Sequence, residues 1–149
     1  GLVSEVKVVL LPIHPNYCRT LPGNNDGLAM VTEVQMEYMR RRCTAMSPAL
    51  NATRSEIIIA QYAYMPNFHG VLVNESTLFL STVRWHGEKF EELSVPREPY
   101  ELIDSATSRG RYAIRLFNSW VDKCLTMAKD NDMLFNYPQV AGESISPQN

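Results

Sequence analysis

An α/β or α+β fold, with a mixed sheet of four or five strands and two main helices in the order β-α-β-β-β-α, is predicted by three observations. Two long stretches, one opening near Leu28 and one near Arg109, repeat apolar residues at helical spacing. Short β-branched and aromatic runs precede and separate them, each closed by proline, glycine or asparagine. The balance of 45% hydrophobic and 20% charged residues over 149 positions is that of a globular chain able to bury one core.

Each element has its own warrant. Residues 6–13, Val-Lys-Val-Val-Leu-Leu-Pro-Ile, read as a strand buried on both faces and closed by Pro12 and Pro15. The loop from His14 to Asp26 follows the carboxyl end of that strand, where open α/β sheets usually hold ligands, and feeds a helix through an Asn or Asp cap. Leu28, Val31, Val34 and Tyr38, flanked by Met36 and Met39, predict a helix of about five turns that ends before Pro48. Glu33 and Glu37 near its front and Arg40-Arg41-Arg42 in its last turns would complement its dipole. Residues 56–64 are the next strand, followed by strands at 70–74 and 78–85 across an Asn74-Glu75-Ser76 turn. Residues 87–107 read as mainly irregular, with one short strand near Tyr100 to Ile103. Ala113, Leu116, Phe117, Trp120, Cys124 and Met127 place the second long helix at 109–129. One domain is expected over residues 1–136, with 137–149 a loosely docked or disordered tail.

A formal charge of -2 provides no global field to gather nucleic acid or an anionic membrane, so neither is an expected partner. No apolar run reaches the roughly 20 residues of a membrane helix. Cys18, Cys43 and Cys124 are odd in number and form no zinc or C-x-x-C pattern, which fits reduced thiols and a cytoplasmic location. His14 and Cys18 alone cannot complete a metal site, and no metal or cofactor is expected.

His69 opens the frame of a phosphodiesterase motif, His-x-Lys-x-x-x-x-Asp, with Val71 and Ser76 at the lysine and aspartate positions. A buried strand ending in Leu10-Leu11-Pro12-x-x-Pro15, Arg19 shortly after it, the strand that runs through Tyr64 to Pro66 into the hairpin, and Phe117-x-x-Trp120 in the closing helix accompany it. In that order the segments resemble the later part of a phospholipase D superfamily half-domain, in the degenerate form found in bacterial sensory and regulatory proteins. Active members use the motif histidine as a nucleophile on phosphorus and the lysine to hold phosphoryl oxygens. Here only His69 survives, since Val71 cannot hold a phosphate and Ser76 cannot orient an imidazole as a carboxylate does. The family also carries a strand and helix ahead of the strand at Val6, so the resemblance implies either a trimmed fold or a partner chain that completes the sheet, with pairing to a second copy the favoured expectation.

The resemblance implies a non-catalytic domain binding a small ligand or phosphate group. Its site is expected where the His14–Asp26 loop meets Asn67, His69, Arg84 and Trp85. Arg19 and Arg84 would meet negative charge, and Trp85 or Tyr64 would supply a flat wall for an anionic or planar molecule. The enzymatic alternative is a homodimeric phosphodiesterase or nuclease with a catalytic His69 from each subunit. A structural homodimer built on the hairpin or on the Trp120 helix face is the third reading.

Overall fold

Val8-Val9-Leu10 and Ile57-Ile58-Ile59 are apolar runs rich in β-branched residues, and they pair side by side in the computed structural model. The structure describes residues 6–21, 26–64, 68–82, 84–86, 92–94 and 100–139, with only the backbone of 82, 84–86 and 92–94. In chain order the elements are β1 (Lys7–Leu10), α1 (Pro15–Cys18), α2 (Asp26–Thr53), β2 (Glu56–Ala60), β3 (Phe68–Val73), β4 (Thr77–Thr82), β5 (Arg84–His86), β6 (Glu92–Ser94), β7 (Glu101–Asp104), α3 (Ser108–Asp130) and β8 (Leu134–Tyr137). No helix among the described residues is long and apolar enough to cross a membrane.

The fold is mixed α/β, but the expected single sheet is divided. One three-stranded sheet has the order β1-β2-β8, a second the order β3-β4-β7, and β5 with β6 forms a short ribbon. The reason lies at β8. It takes the edge of β2, antiparallel from Ile57↔Tyr137 to Ala60↔Leu134, where the hairpin was expected to continue the sheet. Tyr137, expected to begin the tail, is 2% exposed and sits in the core, so the anticipated boundary after Asn136 falls inside a strand. Residues 140–149 lie outside the described residues.

The two long helices divide the packing. β1 and β2 are parallel, in register from Lys7↔Glu56 to Leu10↔Ile59, and α2 is the crossover between them. Met36, Cys43 and Leu50 of α2 bury against Ile57, Ile59 and Tyr137, with Leu10, Met39 and Phe135 around them. Strand alternation puts Ile57 and Ile59 on that one face. α3 touches β2 and β8 as well as β7, so it lies between the two sheets. Its Ile114 and Phe117 close on Leu78, with Phe68, Leu72, Leu80 and Ile103 packed alongside. Trp120 meets both Tyr62, at 5.6 Å between ring centroids, and Phe68, at 5.7 Å, stitching the two cores together. Its buried indole N–H has no hydrogen-bond acceptor among the described residues.

Helix α2 does not stop before Pro48. It runs 28 residues, with Pro48 inside it. Leu50, beyond the proline, is 7% exposed in the core, and its burial outweighs one lost backbone bond on the exposed side of the helix. The true end is a Schellman closure: Ser55 N–H donates to the Leu50 carbonyl, Arg54 N–H donates to Asn51, and Arg54 has φ 54°. The arginine triplet is therefore mid-helix, and the last turn carries no basic residue. α3 ends the same way, with Met133 N–H on Ala128, Asp132 N–H on Lys129 and Asp132 at φ 56°. Each closure launches a strand of the first sheet directly.

Candidate functional site

The parallel pairing of β1 and β2 brings their carboxyl ends together, and the chain continues the pairing past the strands. Tyr62 N–H donates to the Pro12 carbonyl at 3.2 Å, and His14 N–H to the Tyr62 carbonyl at 2.8 Å. Residues 12–16 and 61–62 are thereby fixed beside each other above α2. Between them lies a cavity of about 300 Å3 lined by His14, Pro15, Asn16, Glu33, Met36, Glu37, Arg40 and Gln61. This is the crevice that parallel α/β topology favours for ligands.

Its polar groups are held in defined states. His14 Nδ1 accepts from Asn16 N–H at 3.2 Å, which leaves Nε2 as the protonated nitrogen of the neutral ring. Partial burial, then the nearby Arg19 charge, hold its pKa below the ordinary value, against an opposing pull from Glu33. Arg19 donates to Asn16 Oδ1 at 2.8 Å and Glu33 Oε1 at 2.7 Å, and Arg41 to Glu37 Oε1 at 2.7 Å. Both cavity carboxylates thus have a cation behind them. Arg40 stacks over Phe135, 4.5 Å from the ring centroid, and has no carboxylate partner among the described residues. Gln61 is 8% exposed, and among the described residues its side-chain amide has no hydrogen-bond partner. The amide reaches the open cavity, where water or a ligand can pair with it.

Among the described residues, those expected to form the site are dispersed. Of the His14–Asp26 loop, His14, Pro15 and Asn16 line the cavity, and Arg19 stands behind Glu33. His69 lies on the second sheet, exposed, with its ring 5.3 Å from that of Tyr100 and the Tyr100 hydroxyl 3.0 Å from Nδ1. Val71 is on the same face and 56% exposed, and Ser76 sits in the turn between β3 and β4, its carbonyl accepting from Ser105 N–H. Tyr64 is half-buried, its hydroxyl 2.9 Å from Cys124 Sγ and its ring 5.4 Å from that of Tyr62. Arg84 and Trp85 pair through their backbones with Ser94 and Leu93; their side chains, and all of Asn67, lie outside the described residues.

The buried thiols supply no alternative chemistry. Burial raises the pKa of Cys18, Cys43 and Cys124, so they persist as thiols rather than nucleophilic thiolates, and all are unpaired. Burial likewise pushes the Tyr62 and Tyr64 hydroxyls well above their usual range. The residues that sequence reasoning missed are Glu33, Glu37 and Arg40 as one face, and Gln61. Their signals were present: the acids and Arg40 recur at i, i+4 and i+7, and Gln61 is the first polar residue after Ile57-Ile58-Ile59-Ala60.

No protein-family model, curated protein or solved structure matches this chain.

Proposed function

We propose that the chain is a non-catalytic domain that binds a small polar molecule in the cavity at the carboxyl ends of β1 and β2. The observation that carries this reading is Gln61, a largely buried residue whose amide opens on the cavity without a hydrogen-bond partner among the described residues, in one lining with Arg40, a cation without a carboxylate partner among the described residues. A ligand carrying a carboxylate or phosphate group would engage Arg40 and the His14 Nε2–H, while Gln61 fixes its orientation. Pro15 and Met36 offer it a small apolar floor. A phospholipase D-like ancestry remains part of the proposal as the origin of a binding domain that has given up chemistry. His69 favours that side of the comparison, because its partner is a tyrosine hydroxyl rather than the carboxylate a phosphohistidine mechanism needs.

The test is a melting-temperature screen of small carboxylates, phosphate esters and amino acids against the 149-residue chain and three variants. Ligands that raise the melting temperature are expected to lose their effect in Arg40→Ala and Gln61→Leu and to keep it in His69→Ala. Loss in His69→Ala alone, or turnover of a bis-aryl phosphate ester that depends on His69, would instead support the homodimeric phosphodiesterase.

A further inference from the structure

We propose that the ligand of this cavity is a small zwitterion, an amino acid or a close relative with an ammonium group beside its carboxylate; this rests on the binding reading above. Glu33 and Glu37 are one helical turn apart on α2 and both line the cavity, with Arg40 three residues further along the same face. Two carboxylates at that spacing repel each other along the helix. Each is approached from outside, Glu33 by Arg19 and Glu37 by Arg41, through a single oxygen, Oε1. The second oxygen of each remains available to a donor arriving between them. A phosphate dianion would find, among the described residues of this wall, one cation not already engaged by a carboxylate, Arg40, since Arg19 and Arg41 are held by Glu33 and Glu37, and it would leave the free oxygens of both glutamates without a donor. A zwitterion satisfies both ends at once. Its ammonium donates to Glu33 and Glu37, its carboxylate accepts from Arg40 and the His14 Nε2–H, and Gln61 can serve either end through its amide oxygen or nitrogen. A cavity of about 300 Å3 accommodates a molecule of that size with its side chain against Met36 and Pro15.

The measurement is isothermal titration of the 149-residue chain with the common amino acids, and for each one that binds, with the acid lacking its ammonium and the amine lacking its carboxylate. For leucine these are 4-methylpentanoate and isopentylamine. The amino acid is expected to bind at least about tenfold more tightly than either truncated form. Glu33→Gln and Glu37→Gln are each expected to weaken the amino acid about tenfold while strengthening the deaminated acid, because removing a negative charge helps a bare anion. Arg40→Met should weaken both, and its melting temperature checks that the variant is folded. If acids or inorganic phosphate bind and amino acids do not, or if both glutamate variants leave amino-acid affinity unchanged, the zwitterion is wrong and the cavity reading stands. If no amino acid, acid, amine or phosphate binds at all, both fall together.

Discussion

The two three-stranded sheets share one helix, and the cavity described above lies at the first. In β1-β2-β8 the parallel pair must be joined by a long crossover, so β1 and β2 end on the same side and their following loops diverge around the front of α2. In β3-β4-β7 every neighbour is antiparallel; a tight turn reverses the chain from β3 to β4, and β7 joins the edge of β4 after β5 and β6. There Leu78, Ile114 and Phe117 pack directly, and Gly70 and Gly110 let backbones approach closely. The second sheet stabilises; the first stabilises and also leaves its strand ends to hold polar groups. Its His69 and Tyr100 are exposed, ring against ring.

The contrast can be broken from either side. The largest effect is expected for Gly110→Ala, whose new methyl would land on the Asp104 carbonyl, a backbone group with nowhere to go. A loss of about 4 kcal/mol or more is expected by denaturant unfolding, the range reserved for disrupted packing of this kind. Next come the two core centres. Ile59→Ala and Phe117→Ala, 0% and 6% exposed, should each cost about 3 kcal/mol. They should differ in function: Ile59→Ala loosens the floor of the first sheet and should weaken ligand binding, while Phe117→Ala at equal destabilisation should not.

A smaller effect concerns pH. His14 titrates below its ordinary value of 6.5 in the folded chain, so the unfolded chain takes up its proton first as pH falls. Its contribution is fully present above about pH 6.5 and is lost as the pH drops toward the depressed folded value. A melting-temperature series in pH should therefore decline less steeply below 6.5 in His14→Gln than in the parent chain. The smallest effects are gains. Arg54 at φ 54° and Glu75 at φ 56° occupy left-handed backbone that glycine adopts without strain. Arg54→Gly, in the closure of α2, and Glu75→Gly, in the β3–β4 turn, should each add about 0.5 to 1 kcal/mol of stability. Equal gains would show that the two halves unfold as one unit; a gain confined to Glu75→Gly would separate them.

Much of the architecture was legible because apolar periodicity is local. The 3.6-residue repeat placed both long helices, and the Asn74-Glu75-Ser76 turn placed the hairpin, with Asn74 at φ 49° as such a turn requires. What failed was non-local. Nothing within Leu134-Phe135-Asn136-Tyr137 states that it will pair with β2 rather than trail away, because four residues carry too short an alternation. Pro48 was read as a stop because its own backbone penalty is visible in sequence, whereas the burial of Leu50 that overrides it is not. At the strand end, the sequence draws attention to His14 and the residues after it, of which His14, Pro15 and Asn16 line the cavity. The rest of the wall came from α2, whose Glu33, Glu37 and Arg40 read equally well as a solvated face until a strand end is set against them.

The measurement closest to the central claim is a nitrogen-15 NMR titration with whichever amino acid binds in the calorimetric series. The amide shifts are expected to cluster at His14, Asn16, Glu33, Glu37, Arg40 and Gln61, with the Gln61 side-chain amide among the largest. Shifts centred on His69, Tyr100 and the β3-β4-β7 face, with Gln61 unmoved, would place the ligand on the other sheet and contradict the assignment of function to the first.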